Sequence, residues 1–203
     1  TLFELPKGNS IKTELLFIER CLSLLKPGGR MGIVLPEGVF NNPSLAYVRQ
    51  FAEDRAKISA IISMPQETFV SAKAFVKTSL LFMQKFTDAE SKKWLGLLGQ
   101  KRAEILAKQK KERETLQAIL QDRKAGKEKK KEAKARMKEL DDFLQNEARR
   151  LARADFDYPI FMCEAEHVGI TSTGEEDKNE LPQILEEYKK FQKDPKAYAS
   201  NGK

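Results

Sequence analysis

The sequence predicts an α/β fold that carries a long helical insertion. Three observations point there. Residues 12–86 alternate in the order helix, strand, helix, strand, loop, strand, a doubly wound pattern. Residues 89–155 contain no proline and carry apolar residues at coiled-coil spacing. The charge is also divided: 11 basic and 8 acidic side chains in 1–88, 20 and 12 in 89–155, and 6 and 10 in 156–203. The net charges of the three regions are therefore +3, +8 and −4. They are read as a sheet domain, a basic helical hairpin and an acidic, mostly helical tail that packs on the sheet.

Each element has a local reason. Leu15, Phe17, Ile18, Cys21, Leu22 and Leu25 recur at helical spacing. Lys26-Pro27-Gly28-Gly29 ends that helix, with a basic last turn followed by residues that cannot continue it. Residues 30–36 are short, apolar and β-branched at their core. This is how a strand buried on both faces of a parallel sheet reads. Residues 37–42 form a loop, and Pro43-Ser44 opens a helix to about Asp54 with Leu45, Val48 and Phe51 on one face. Residues 58–64 give a second buried strand closed by Pro65, and residues 75–86 a third. The first strands that such a sheet needs are not found before residue 12.

In the middle region Ala133, Met137, Leu140, Leu144, Ala148 and Leu151 make a narrow seam. Leu95, Leu98, Ile105, Leu116 and Ile119/Leu120 make a weaker one, broken by the polar residues 107–115. Ala125-Gly126 marks the turn between two antiparallel helices. The hairpin has three readings: docking on a partner's helices, laying its basic tip (Lys124, Lys127, Lys129, Lys130, Lys131) along DNA phosphates, or standing as a solvated strut. In the tail, Pro182 starts a helix with Ile184/Leu185, Tyr188 and Phe191 on one face, residues 158–162 add a short strand or pack on the sheet, and residues 171–178 form a polar loop.

The composition excludes several classes. No apolar run approaches the roughly 18 residues of a membrane span. No signal peptide is visible at the start. Cys21 and Cys163, 142 positions apart, have neither metal nor redox spacing. His167 is the single histidine, which disfavours metal sites and histidine-based catalysis and suits a structural role. A reducing cytoplasm is the expected compartment. Ligands of open α/β sheets bind at the carboxyl ends of strands. Residues 36–42 and 65–74 leave those ends and are candidate site loops, with ordinary connections as the alternative.

The run ELLFIERCLSLLKPGGRMGIVLPEGVFNN, followed by ISAIISMPQETFVSAKAFVKTSLLFMQK, resembles the second half of the catalytic domain of adenine-specific DNA methyltransferases. It is most similar to the modification subunits of type I restriction–modification systems, the N-6 DNA methylase family. Residues 156–192 resemble their tail. The resemblance covers 3–88 and 156–192 and leaves the hairpin uncovered. It implies the carboxy-terminal half of a class I S-adenosylmethionine-dependent methyltransferase sheet, which is Rossmann-like. It implies transfer of a methyl group to the exocyclic amino group of a flipped adenine. It also implies DNA and a specificity (S) subunit as partners, with no metal, and leaves open whether a restriction (R) subunit joins them. The family's glycine-rich cofactor loop and its Asn-Pro-Pro-Phe/Tyr catalytic loop are absent from these 203 residues. The catalytic loop is expected just upstream of the LPKGNS segment. The chain alone is thus expected to hold no catalytic residue, to bind no S-adenosylmethionine and to be inactive.

The base side of the pocket remains. The resemblance implies that Phe69 stacks on the flipped adenine; the alternative is that it caps the core. Phe75 is the rival for the same role. Pro36, Glu37 and Phe40 line or shape the pocket floor. Lys73 and Lys77 flank the loop and either meet DNA phosphates or are solvated. The competing function is a non-catalytic α/β and coiled-coil module that binds protein or nucleic acid.

Overall fold

The structure, a computed structural model, describes residues 4, 5 and 12–201. Most of the LPKGNS segment lies outside the described residues. The chain divides into two compact units, residues 1–88 with 158–203, and residues 89–157.

The first unit is built on a mixed sheet of order β1-β3-β2-β4. Helix α1 (Thr13–Leu24) leads into β1 (Arg30–Pro36). A short helix α2 (Gly38–Asn41), a 3-10 turn opened by Pro43 and helix α3 (Ala46–Glu53) then lead to β2 (Ala56–Ser63). Strand β3 (Thr78–Lys85) inserts between β1 and β2 and runs antiparallel to both, while β4 (Phe161–Glu164) lies parallel to β2. One face packs on α1 and α3 through Leu15, Ile18, Leu22, Leu35, Val48 and Leu81. On the other, Ala60 and Phe161 meet Phe191 of α6 (Leu181–Lys193). Phe161 is ringed by Tyr188, Phe191 and Tyr198 at centroid distances of 5.5, 5.5 and 5.9 Å. Tyr198 belongs to the final helix α7 (Pro195–Asn201).

The sheet departs from the sequence reading in three places. First, β1 and β2 are not neighbours in a parallel sheet. The link between β2 and β3 holds only a 3-10 turn (Gln66–Phe69), and without a crossover helix the chain returns antiparallel. Nor is β1 buried on both faces, since Val34 is 44% exposed. Second, β3 begins at Thr78, not at residue 75. The Phe69 carbonyl accepts the N–H groups of Ala72 and Ala74, at 3.1 and 3.0 Å, which keeps the backbone turning through residue 74. Third, the tail carries short strands ahead of its helices. Strands β5 (Val168–Ile170) and β6 (Glu176–Asn179) form a hairpin, so part of the segment read as a polar loop is strand. Gly174 at φ +90° makes its turn. His167 anchors it, with Nδ1 2.8 Å from the Asp177 carboxylate.

The second unit is a helical hairpin, α4 (Asp88–Gln121) and α5 (Lys127–Asp155), of 34 and 29 residues. Leu98, Ile105, Ala133, Leu140, Leu144 and Ala148 are buried as the spacing implies. Leu95 is not in the seam: it is 64% exposed, and Trp94 occupies the buried position, 5.8 Å from Phe156. The polar residues 107–115 do not interrupt α4. Buried Gln109 accepts from Arg113 Nε at 3.0 Å, and Arg113 reaches Asp141 on α5 at 2.8 Å. Charge pairing thus replaces apolar contact along that stretch.

Candidate functional site

Strands β1, β2 and β4 point the same way, so Pro36, Ser63 and Glu164 end at one edge of the sheet, beside Thr78 at the start of β3. The loops leaving this edge are knitted together by polar groups. Glu37 N–H donates to the Lys77 carbonyl at 2.9 Å. The Glu37 carboxylate accepts from the hydroxyl of buried Ser79 at 3.0 Å. Lys77 Nζ donates to Glu164 at 2.8 Å, and Ser63 lies 3.5 Å from the same carboxylate. The hydrogen bond to Glu164 holds the Lys77 ammonium above its ordinary value, and the same bond holds the Glu164 carboxyl below its own. Thr78 Oγ1 is buried at this edge with no hydrogen-bond partner among the described residues.

The expected site residues fall into two groups. Pro36, Glu37 and Lys77 are brought together by the pairing of β1 with β3. Phe40 is half-buried and packs against the core, where with Glu37, Ser63, Ser79 and Cys163 it lines a groove of about 350 Å³. Burial pushes the Cys163 thiol above its ordinary value. Phe69, Lys73 and Phe75 share the loop before β3. Phe69 is half-buried at the end of the 3-10 turn. Lys73 is exposed in the left-handed region, at φ 62°, and makes no ion pair among the described residues. Phe75 is 69% exposed and Val76 beside it 52%. Lys77 is half-buried and pairs with Glu164.

Ser79 and Glu164 escaped the sequence reading. Ser79 leaves a trace there, a polar residue inside the apolar run of β3. Glu164 leaves none, since its partner Lys77 is 87 positions away.

The fit to S-adenosylmethionine is poor. Gly28 and Gly29 precede β1, at the amino end of the strand, opposite the site edge. Gly28, at φ +75°, serves the turn: its N–H donates to Lys85 and its carbonyl accepts from Gln84. What the described residues offer at the site edge is an aromatic-bearing loop beside a hydrogen-bonded polar floor. The described residues hold no group of three metal-ligating side chains. No described helix is long and apolar enough to cross a membrane.

No curated protein matches the chain. Among solved structures it is similar to a protein of Listeria monocytogenes whose title assigns it to the class I S-adenosylmethionine-dependent methyltransferases, at 29% identity and a TM-score of 0.38, covering 42% of this chain and 26% of that one. It is also similar to a chain from a structure of a type I R-M system, at 33% identity and a TM-score of 0.35, covering 40% of this chain and 17% of the other. The chain therefore spans about a quarter or less of the length of these structures. Residues 4–152 match the N-6 DNA Methylase family, and the chain belongs to that family.

Proposed function

We propose that this chain is the carboxy-terminal part of a DNA adenine methyltransferase, the modification subunit of a type I restriction–modification system. The whole enzyme transfers a methyl group from S-adenosylmethionine to the exocyclic amino group of adenine. It works in the cytoplasm beside a specificity subunit and, where the system cleaves, a restriction subunit. The family match over residues 4–152 carries this reading. This part supplies the base side of the pocket, while the cofactor and the catalytic amide loop belong to the other half of the subunit.

The target amino group is unreachable inside the duplex, so the base must be extruded and held. An aromatic face holds a base without reading it, worth about 1–3 kcal/mol per stacked base. Residues 65–77 offer two such faces. Phe69 has the position that the family resemblance implies; Phe75 has the more exposed ring. The Glu37–Ser79 hydrogen bond beside Pro36 supports reading these residues as the pocket floor, and the exposure of Lys73 supports a phosphate contact there.

Two measurements test the reading. Calorimetry of this chain with S-adenosylmethionine is expected to give no heat; micromolar binding refutes the division of labour. In the complete enzyme, Phe69→Ala or Phe75→Ala is expected to lower turnover with cofactor affinity intact, and the variant that does so carries the stack. Unchanged turnover in both removes the loop from the pocket. The second reading, a non-catalytic interaction module, draws on the hairpin's forming a compact unit of its own. It predicts that the complete protein transfers no methyl group and loses partner binding when the hairpin is altered.

A further inference from the structure

The hairpin distributes its charges unevenly. Along the stem, cations face anions of the opposite helix: Lys101 with Asp155 at 2.8 Å, Arg113 with Asp141 at 2.8 Å and Arg136 with Glu112 at 2.7 Å. The distal turn is different. Residues 122–134 hold Arg123 and six lysines against three carboxylates, Asp122, Glu128 and Glu132. Among the described residues, its ion pairing is limited to one loose contact, Lys131 to Glu128 at 3.9 Å, with both side chains about 80% exposed. Asp122 is occupied by the turn itself, accepting the Lys124 N–H at 2.8 Å.

The placement on α5 sharpens the contrast. Lys127, Lys131 and Lys134 recur at i, i+4 and i+7, and all three are exposed. Neighbours at that spacing share a helix face, where like charges repel and weaken the helix that carries them. A strut that needs only solubility has no use for such stacking, and the stem shows how readily this sequence supplies a facing carboxylate. The few apolar side chains at the turn, partly buried Leu116 and Ile119 and buried Ala133, line a shallow hollow rimmed by charged side chains rather than a broad apolar surface. What relieves the repulsion is an anion with closely spaced charges. Lysines on flexible stems suit phosphates as point charges and carry no base readout.

We propose that the distal turn of the hairpin, centred on Lys127, Lys131 and Lys134, is a contact for the phosphate backbone of duplex DNA, binding it without regard to sequence. The proposal stands apart from the methyl-transfer reading, because its test needs neither cofactor nor turnover.

The test uses the full 203-residue chain and a duplex of arbitrary sequence, with anisotropy read across a series of salt concentrations. The variant K127Q/K131Q/K134Q is compared with K189Q/K190Q/K193Q on α6, which removes the same charge elsewhere. Each phosphate contact contributes about 0.9 to the slope of log affinity against log salt. The turn variant is therefore expected to flatten the slope by roughly 2–3 and weaken binding at least about tenfold at low salt, with the α6 variant close to wild type. The replacement K127R/K131R/K134R, which keeps the charge, is expected to keep the slope; its loss there shows a folding defect and overturns the proposal. Equal slopes in the turn variant and wild type also overturn it. So does an equal loss in both glutamine variants, which makes net charge the cause. Displacement of the duplex by polyglutamate at matched charge overturns the assignment to nucleic acid.

Discussion

The two units of this chain are held by different physics. In the sheet unit, α1, α3, β1 and β3 converge on one core, and the polar side chains at the carboxyl ends of its parallel strands are bonded to one another across long stretches of sequence. In the hairpin the buried seam is about one side chain wide and partly alanine, and its flanks are closed by ion pairs between the helices. The lesson concerns where tolerance lies. A wide core shares a lost contact among many neighbours, whereas a narrow seam relies on its few large members.

The largest expected effects test that difference. Trp94→Ala removes a 1% exposed indole that meets Phe156 and the Arg153 guanidinium, 5.2 Å from the ring. Its cost is expected at about 3–5 kcal/mol, read as lost amide protection at Ala148 and Ala152 in hydrogen exchange. Leu35→Ala, at the centre of the sheet core, is expected to cost about 2–5 kcal/mol, toward the lower end where the site can collapse. If Leu35→Ala proves the costlier of the two, the narrow-seam argument fails.

Ser79→Ala comes next. It leaves the Glu37 carboxylate without its hydroxyl donor at a half-buried position. Losing one partner of such a pair costs about 1–3 kcal/mol, so a fall in chemical-denaturation midpoint of that order is expected with an unchanged m-value. No change in midpoint means that water replaces the hydroxyl freely and that the floor of the site is softer than its geometry implies. Glu164→Gln is milder, because Lys77 and Glu164 are both partly solvated, with 37% and 66% of their side chains exposed. Its expected outcome is a downward shift of the Lys77 titration by NMR toward the ordinary lysine value, with little change in melting.

The same contrast explains what the sequence reveals. The hairpin was legible because its determinants are local: residues three and four apart share a face, and the Ala133–Ala148 spacing is visible in the letters alone. Leu95 misled because Trp94 is adjacent to it, and periodicity cannot choose between neighbours of similar apolarity. In the sheet unit, α1, β1 and β2 were legible for the same local reason. The antiparallel insertion of β3 was not: it depends on a link too short in helix to cross over. The site was legible in part. Pro36 ends β1, Phe40 lies in α2 just beyond it, and Phe69 and Lys73 stand in the link from β2 to β3, positions that topology supplies. The Lys77–Glu164 bond joins residues 87 apart and has no sequence signature.

The smallest effect concerns the tail hairpin. The Glu180 carboxyl is held down to about 2, first by the Lys178 ammonium at 2.7 Å and then by the Glu166 N–H at 2.9 Å, with the His167 N–H also contributing. The ordinary value is 4.5, so folding favours the ionised form. The stabilisation is therefore complete above about pH 4.5, and it is lost as pH falls toward 2. Asp177 is lowered in the same direction, first by its bond to His167. On acidification the amide resonances of Glu166 and His167 are expected to shift with a midpoint near 2. The Asp177→Asn variant should keep that transition, whereas Glu180→Gln should abolish it. A midpoint near 4.5 in the unmodified chain would mean that Glu180 is solvated rather than capping the strand entry. The turn at residues 165–167 would then be set by the backbone pairing of β5 with β6 alone.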